Sequence, residues 1–435
     1  MNALPSERRA DGLRVWLNTT GGVVGVLLLV QFLTGVLLAF YYVPSVDHAH
    51  TTVSYIEKVV SSGSWLRSLH HYGSQWLALF VFLHVVRLFV SEAYAERRIQ
   101  WVAAVLLLGL VMAAAGTGYS LPWDARAFFS TRVAEGLMSG LPFAGRNARL
   151  WLLGGNEIST ITLSRFFAVH VLIVPFAIFG VIVWFSKRAC WANLSRNAIA
   201  GGVVFVALAI WCLKYPAPLG PPVETMTADY LPRPGAQFLW LYQLLKYVPG
   251  GLGSIVGVII PGIGLAILLL LPRLKSQRIL GSTILVLLTV TILAMTIVAY
   301  VSDRRDSHTR EQLARQATEE SKWRSEPFNP QLLQSPERRS QFFREPGGPP
   351  VMYLKFCVNC HGPHGEGAQQ GTLRFPPLLD VAAKPRRTTE DIVGLLKDPT
   401  AYGLQPPMRS FNDKLSEGQM REIAAWIVQL KRVQP

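Results

Sequence analysis

The chain has little charge. Asp, Glu, Lys and Arg make up only 16% of its 435 residues, and half of it is hydrophobic. That excludes an ordinary soluble protein, in which about a quarter of residues are charged. Acid is scarcer than base, 27 residues against 42, for a net charge of +15. The basic residues cluster at the ends of apolar runs, a membrane-topology pattern and not a nucleic-acid face. Cysteine is rare: Cys190 and Cys212 stand alone and read as inert small residues, and only Cys357 and Cys360 lie close together. No disulfide framework is implied. No cleavable signal peptide is visible, since the N-terminus is polar to about residue 18 and the next apolar run is long enough to span. No internal repeat, iron–sulfur motif, flavin site or nucleotide loop is legible. The glycine-rich stretches 250–257 and 261–264 sit at or in an apolar run and read as packing.

What the chain does have is long apolar runs. Seven reach the roughly 20 residues that a spanning helix needs, near 20–42, 71–91, 101–119, 166–186, 197–215, 252–271 and 279–301. The stretches 43–70, 120–165 and 216–251 then form long loops on one side. The short connections on the other side carry Arg97, Arg98, Lys187, Arg188, Arg196, Arg273, Lys275 and Arg278, joined by Arg8, Arg9 and Arg14 of the N-terminus. That side is expected to be cytoplasmic, which puts the C-terminus outside. Residues 302–350 read as a polar linker and 351–435 as a small separate domain.

Within that small domain, Cys357-Val358-Asn359-Cys360-His361 is the attachment pattern for a covalent haem. Two thiols bond to the vinyl groups and the adjacent imidazole becomes an axial iron ligand. No second Cys pair completes a zinc site instead. Met408, in Pro406-Pro407-Met408-Arg409, is the candidate for the other axial position. His364 lies too near the attachment motif to reach the far haem face. An amphipathic helix follows, about 416–431, with Ile423, Ala424, Trp426, Ile427 and Leu430 on its apolar side. The domain resembles the class I cytochrome c family, which ends in such a helix.

His70, His84 and His170 lie inside spanning runs, where ionisable residues are costly and functional. His70 and His84 are separated by nearly four helical turns, so they share one helix face about 21 Å apart. That spacing suits two haems stacked across the bilayer.

Over about residues 10–301 the sequence resembles cytochrome b of the quinol–cytochrome c reductase complexes. The resemblance rests on Gln31-Phe32-Leu33-Thr34-Gly35, Tyr41-Tyr42-Val43-Pro44, Leu66-Arg67-Ser68-Leu69-His70-His71 and Thr117-Gly118-Tyr119-Ser120-Leu121-Pro122-Trp123-Asp124. Phe238-Leu239-Trp240-Leu241-Tyr242 and Tyr247-Val248-Pro249 extend it. It implies an all-α, seven-helix bundle. It also implies an outer b haem on His70 and His170, an inner one on His84, and Gly21, Gly35, Arg67 and Arg87 around the haems. Quinone would bind near Tyr119, Pro122, Trp123 and Asp124.

Four departures matter. The inner haem's second ligand is expected some four turns after His170, where Trp184 and Phe185 stand. Ala104 replaces an expected glycine, and Gly235 replaces the glutamate that takes a quinol proton. Thr19 stands near the place of the cysteine that fixes an extra inner haem in photosynthetic relatives. Bulky Trp184 and Ala104 point to an inner pocket filled by side chains, whereas His84, Arg87 and Gly21 still match a haem-lined groove, in which a five-coordinate haem would hang on His84 alone or take its other ligand from a partner subunit. Two functions follow. One is an inner-membrane subunit relaying electrons between the outer b haem and the fused c haem, without a standard two-haem cycle. The other is a catalytic cytochrome b with a rewired outer quinol site, using Glu224 or Asp229 as proton acceptor. Either implies further subunits of a membrane redox complex, a Rieske protein or other cytochromes among them.

Overall fold

The structure, a computed structural model, describes residues 19–186, 194–223, 230–274, 277–333, 349–362, 365–370, 373–383, 387–403, 408 and 410–430. Glu224, Asp229, Cys190, His364, Arg409 and the flanking cations Arg8, Arg9, Arg14, Lys187, Arg188 and Lys275 lie outside the described residues. The chain divides into two compact units. The first comprises Met1–Gly220 and Leu231–Phe328, the second Pro221–Tyr230 and Asn329–Pro435.

Seven helices of the first unit are long and apolar enough to cross a membrane. We call them α1 (Thr20–Ala39), α3 (Gly63–Val90), α4 (Arg98–Tyr119), α7 (Thr160–Phe185), α8 (Ser195–Lys214), α10 (Ile255–Arg273) and α11 (Gln277–Arg305). Between them lie α2 (Ala49–Lys58), α5 (Ala125–Ser139), α6 (Gly145–Leu153) and α9 (Ala236–Leu245). The expected spans are all present, and α3 begins eight residues earlier than its apolar run because the helix continues into its polar outer end. Val23, Leu27, Leu77, Val81, Val111 and Leu208 form one core of the bundle, drawn from α1, α3, α4 and α8. Phe32, Phe176, Val203 and Leu293 remain more than half exposed, as on helices that face lipid. Because lipid is as apolar as these side chains, close backbone approach holds the helices together. At the α1–α8 contact, a Cβ added to Gly22 would lie 2.5 Å from the Asn197 Cβ, and one added to Gly201 would lie 2.4 Å from Val26.

The expected linker contains more structure than its sequence suggests. Helix α12 (Ser307–Ser325) follows α11 after one break at Asp306, whose carboxylate caps it by accepting from the Thr309 N–H at 2.9 Å. It docks through charge. Glu320 pairs with Arg126 at 2.7 Å, and Arg324 pairs with Glu57 at 3.2 Å. The Lys58 ammonium lies 3.9 Å over the Trp323 ring. A polar helix held by ion pairs has no apolar stripe to read, so hydrophobic periodicity misses it.

The second unit holds α13 (Val351–Phe356), α14 (Val358–His361), α15 (Leu378–Ala383), α16 (Thr389–Lys397) and α17 (Glu417–Gln429). Its one departure from an all-helical reading, among the described residues, is a short antiparallel pair, β1 (Ala368–Gln370) and β2 (Leu373–Phe375). Capping boxes start α16 at Thr388 and Asp391, and α17 at Ser416 and Gln419. Tyr353 of α13 packs on Trp426 of α17 with ring centroids 4.4 Å apart, closing the unit over Ile392, Leu396, Ile423 and Ile427.

Candidate haem-binding sites

His70 on α3 and His170 on α7 are brought face to face, ring centroids 6.0 Å apart and planes at 81°. Each ring is fixed from behind. The His70 Nδ1–H donates to the Thr34 hydroxyl oxygen at 2.9 Å, because that hydroxyl spends its own proton on the Val30 carbonyl at 2.6 Å. The His170 Nδ1–H donates to the Ala114 carbonyl at 3.0 Å. With both Nδ1 atoms committed as donors, both Nε2 lone pairs are free for a metal. A separation of this size leaves room for one ion with bonds of about 2 Å to each nitrogen. The neighbouring backbone is cleared by glycine. A Cβ added at Gly35 would lie 3.1 Å from the His70 Cε1, and one at Gly118 only 2.5 Å from the His170 Cε1. A single π-helical turn, Val169–Ile173, carries His170 within α7; such bulges recur at functional sites. The pair, its clasps and the two glycines fit a bis-imidazole haem.

His84 lies further along α3. Its Nδ1 is 2.9 Å from the Thr20 hydroxyl, and Gly21 clears its Cε1. Arg87 follows one turn later on the same helix. Arg67 is committed elsewhere: it pairs with the buried Glu57 and donates to the Pro218 carbonyl at 3.2 Å. Through these bonds Arg67 holds the outer loops together.

The residues expected to line an outer quinol site are partly spent on structure. Asp124 caps α5 by accepting from the Ala127 N–H at 2.8 Å, and its second oxygen accepts from the Gly220 N–H at 2.7 Å. Trp123 is buried in a left-handed turn with φ of 51°. Tyr119 accepts from the Gly235 N–H at 3.1 Å. Beside it opens a cavity of about 350 Å³ whose walls include His71, Tyr119 and Arg233, and which Gln316 and Ala317 of α12 roof over. The Arg233 Nε and Nη1 and the Gln316 Nε2 are buried there without a hydrogen-bond acceptor among the described residues. On the same face His50 is buried with its Nε2 2.9 Å from the Gly220 carbonyl, and burial holds its pKa below the usual histidine value.

In the second unit, Cys357 and Cys360 flank one turn of helix and His361 follows directly. Burial pushes the Cys357 thiol up to about 12 and raises that of Cys360 as well. The His361 Nδ1 bonds the Pro376 carbonyl at 3.3 Å, the same clasp seen on the membrane imidazoles, which again frees Nε2. Burial also lowers the His361 pKa, against the raising influence of that carbonyl. Met408 packs against the apolar cluster that includes Cys357, Tyr353 and Phe411. The donor set fits a covalently attached haem. Sequence reasoning missed Thr20, Thr34, Ala114, Gly118 and Pro376. The Thr-Gly pairs at 20–21 and 34–35 repeat at the His70–His84 interval and were the available signal.

These features define a multi-pass membrane haem protein with a second, c-type haem unit on the same chain. The family described as Cytochrome b/b6/petB matches residues 7–186, and the family described as Cytochrome c matches residues 349–431. The menaquinol:cytochrome c reductase cytochrome b subunit of Geobacillus thermodenitrificans is 36% identical over 183 residues, 42% of this chain and 80% of that protein. Cytochrome b of Rickettsia prowazekii (strain Madrid E) is 31% identical over 293 residues, 61% of this chain and 72% of that protein. Among solved structures, a chain of a hyperthermophilic respiratory Complex III superposes with a TM-score of 0.50 at 22% identity, covering 65% of this chain and 84% of that one. The chain belongs to the cytochrome b family and carries a cytochrome c domain, and these two regions imply haem b and haem c.

Proposed function

We propose that the chain is a membrane electron-transfer subunit that relays electrons between a b haem near the outer face and its fused c haem. It works within an assembly like the quinol–cytochrome c reductases, without a standard two-haem cycle. One observation carries this reading. The outer position has a complete pair of imidazoles, His70 and His170, whereas the inner position has His84 with Trp184 where a partner would stand. The chain's own residues supply the ligands, fix the tautomers through Thr34, Ala114 and Pro376, and exclude water by packing. His361, Cys357, Cys360 and Met408 hold the c haem, on the side to which seven spans from a cytoplasmic N-terminus lead. Membrane-associated redox subunits are the partners.

A second reading, quinol oxidation at the outer face, is supported by the cavity beside Tyr119 and by the name of the Geobacillus relative, a menaquinol:cytochrome c reductase subunit. There Arg233 and Gln316 offer buried donors to a quinone oxygen, and Gly235 removes the usual acid. Reduction of the outer b haem by a quinol in the purified complex decides between them. Fast reduction sensitive to Arg233→Leu supports quinol chemistry by this chain. Reduction only from the c haem side, with quinol inert, supports the relay.

A further inference from the structure

Half of the outer haem site is built twice. The Thr20-Gly21 pair on α1 recurs further along the helix as Thr34-Gly35, and His70 on α3 recurs as His84 at the same interval. The two copies match in geometry. Each histidine Nδ1 lies 2.9 Å from its threonine hydroxyl. A Cβ added at the paired glycine would meet the histidine Cε1 at 3.1 Å in the outer copy and 3.3 Å in the inner one. The interval is nearly four helical turns, so the copies lie on one face about 21 Å apart.

The other half, from α4 and α7, is built once. Counting by that same interval from Gly118 reaches Ala104 on α4, and from His170 it reaches Trp184 on α7. An indole nitrogen carries a proton and only donates, so Trp184 supplies no lone pair to a metal. Trp184 remains 37% exposed, and among the described residues no aromatic ring stacks on the His84 imidazole. The His84 Nε2 makes no hydrogen bond to the described residues, just as the His70 Nε2 makes none. A histidine retained only to fill space has no need of a threonine clasp and a glycine clearance matching those of a metal-ligating one.

We propose that His84 is the only protein ligand of a second, five-coordinate b haem, whose sixth position accepts a small neutral ligand. A lone imidazole gives a weak ligand field, so this haem is high-spin while the His70–His170 haem is low-spin. The probe is carbon monoxide added to the reduced, purified full-length protein with its haems in place. The expected result is two b haems per c haem by pyridine haemochrome, one of them high-spin by electron paramagnetic resonance and shifted by carbon monoxide. His84→Ala removes that haem and the carbon monoxide response and leaves the low-spin b spectrum. Trp184→His supplies the missing imidazole, converts the high-spin signal to low-spin and abolishes carbon monoxide binding; it serves equally if His84→Ala does not fold. One b haem per c haem, a second b haem already low-spin in the unaltered protein, or a carbon monoxide response that survives both substitutions overturns the proposal.

Discussion

The proposed outer b site and the proposed c site solve one problem by opposite routes. The c site puts two thiols and an imidazole within five consecutive residues, and the remaining ligand candidate, Met408, sits about fifty residues on. The proposed b site takes its two imidazoles from α3 and α7, a hundred residues apart, and α1 and α4 aim those rings through Thr34 and Ala114. Both sites clasp Nδ1 and leave Nε2 free. A covalent anchor tolerates a loosely packed surround, whereas a site held by coordination alone depends on every helix that frames it.

That contrast sets the order of expected effects. Cys360→Ala removes covalent haem staining at the mass of this chain and leaves the b spectrum in place, read on a denaturing gel against a visible spectrum. His170→Ala expels the outer b haem or turns it high-spin, with the c haem retained, because no other imidazole faces His70 among the described residues. Gly118→Ala loses most of the outer b haem, since its Cβ would sit 2.5 Å from the His170 Cε1, while Gly35→Ala, at 3.1 Å, loses less. Equal losses in the two glycine variants would show that clearance of the imidazoles does not govern occupancy.

Smaller effects follow. Met408→Ala leaves the c haem attached, lowers its reduction potential and removes the sulfur-to-iron absorption band; an unchanged band would exclude Met408 as ligand. The smallest effect is a pH dependence of the membrane unit through His50. Burial lowers the His50 pKa below its usual value of 6.5, Arg67 and Lys58 act in the same direction, and the Gly220 carbonyl and Asp124 oppose them. The folded state therefore resists protonation. Stability from His50 is full above about pH 6.5 and declines as pH falls below it, because the unfolded chain then binds the extra proton. Thermal unfolding of the b spectrum between about pH 7.5 and about pH 5 measures this. His50→Gln, which keeps a side-chain donor for Gly220, flattens the slope.

The sites differ in legibility for the same reason that they differ in construction. Local chemistry is written in local sequence: the thiols, His361 and the final helix at α17 are all readable. The spanning helices are readable because lipid demands about 20 apolar residues regardless of what they pack against. The roof helix α12 is not, because ion pairs with Arg126 and Glu57 hold it and those partners lie more than a hundred residues away. The role of Asp124 is hidden for a similar cause. It stands in a motif suited to quinone binding, yet the fold brings Gly220 to one of its oxygens and the α5 N-terminus to the other.

By itself the sequence determined the membrane class, the seven crossings, the covalent haem motif and which histidines are costly enough to matter. Each of these depends on composition or on spacing within one segment. Only the tertiary structure decided that Thr34 and Ala114 orient the facing imidazoles and that Gly118 must stay small. Only it decided that Arg67 serves Glu57, and that the His84 clasp is preserved while its far side is not. Those facts depend on which helices lie side by side, and packing between spans is set by close contacts that no single segment encodes.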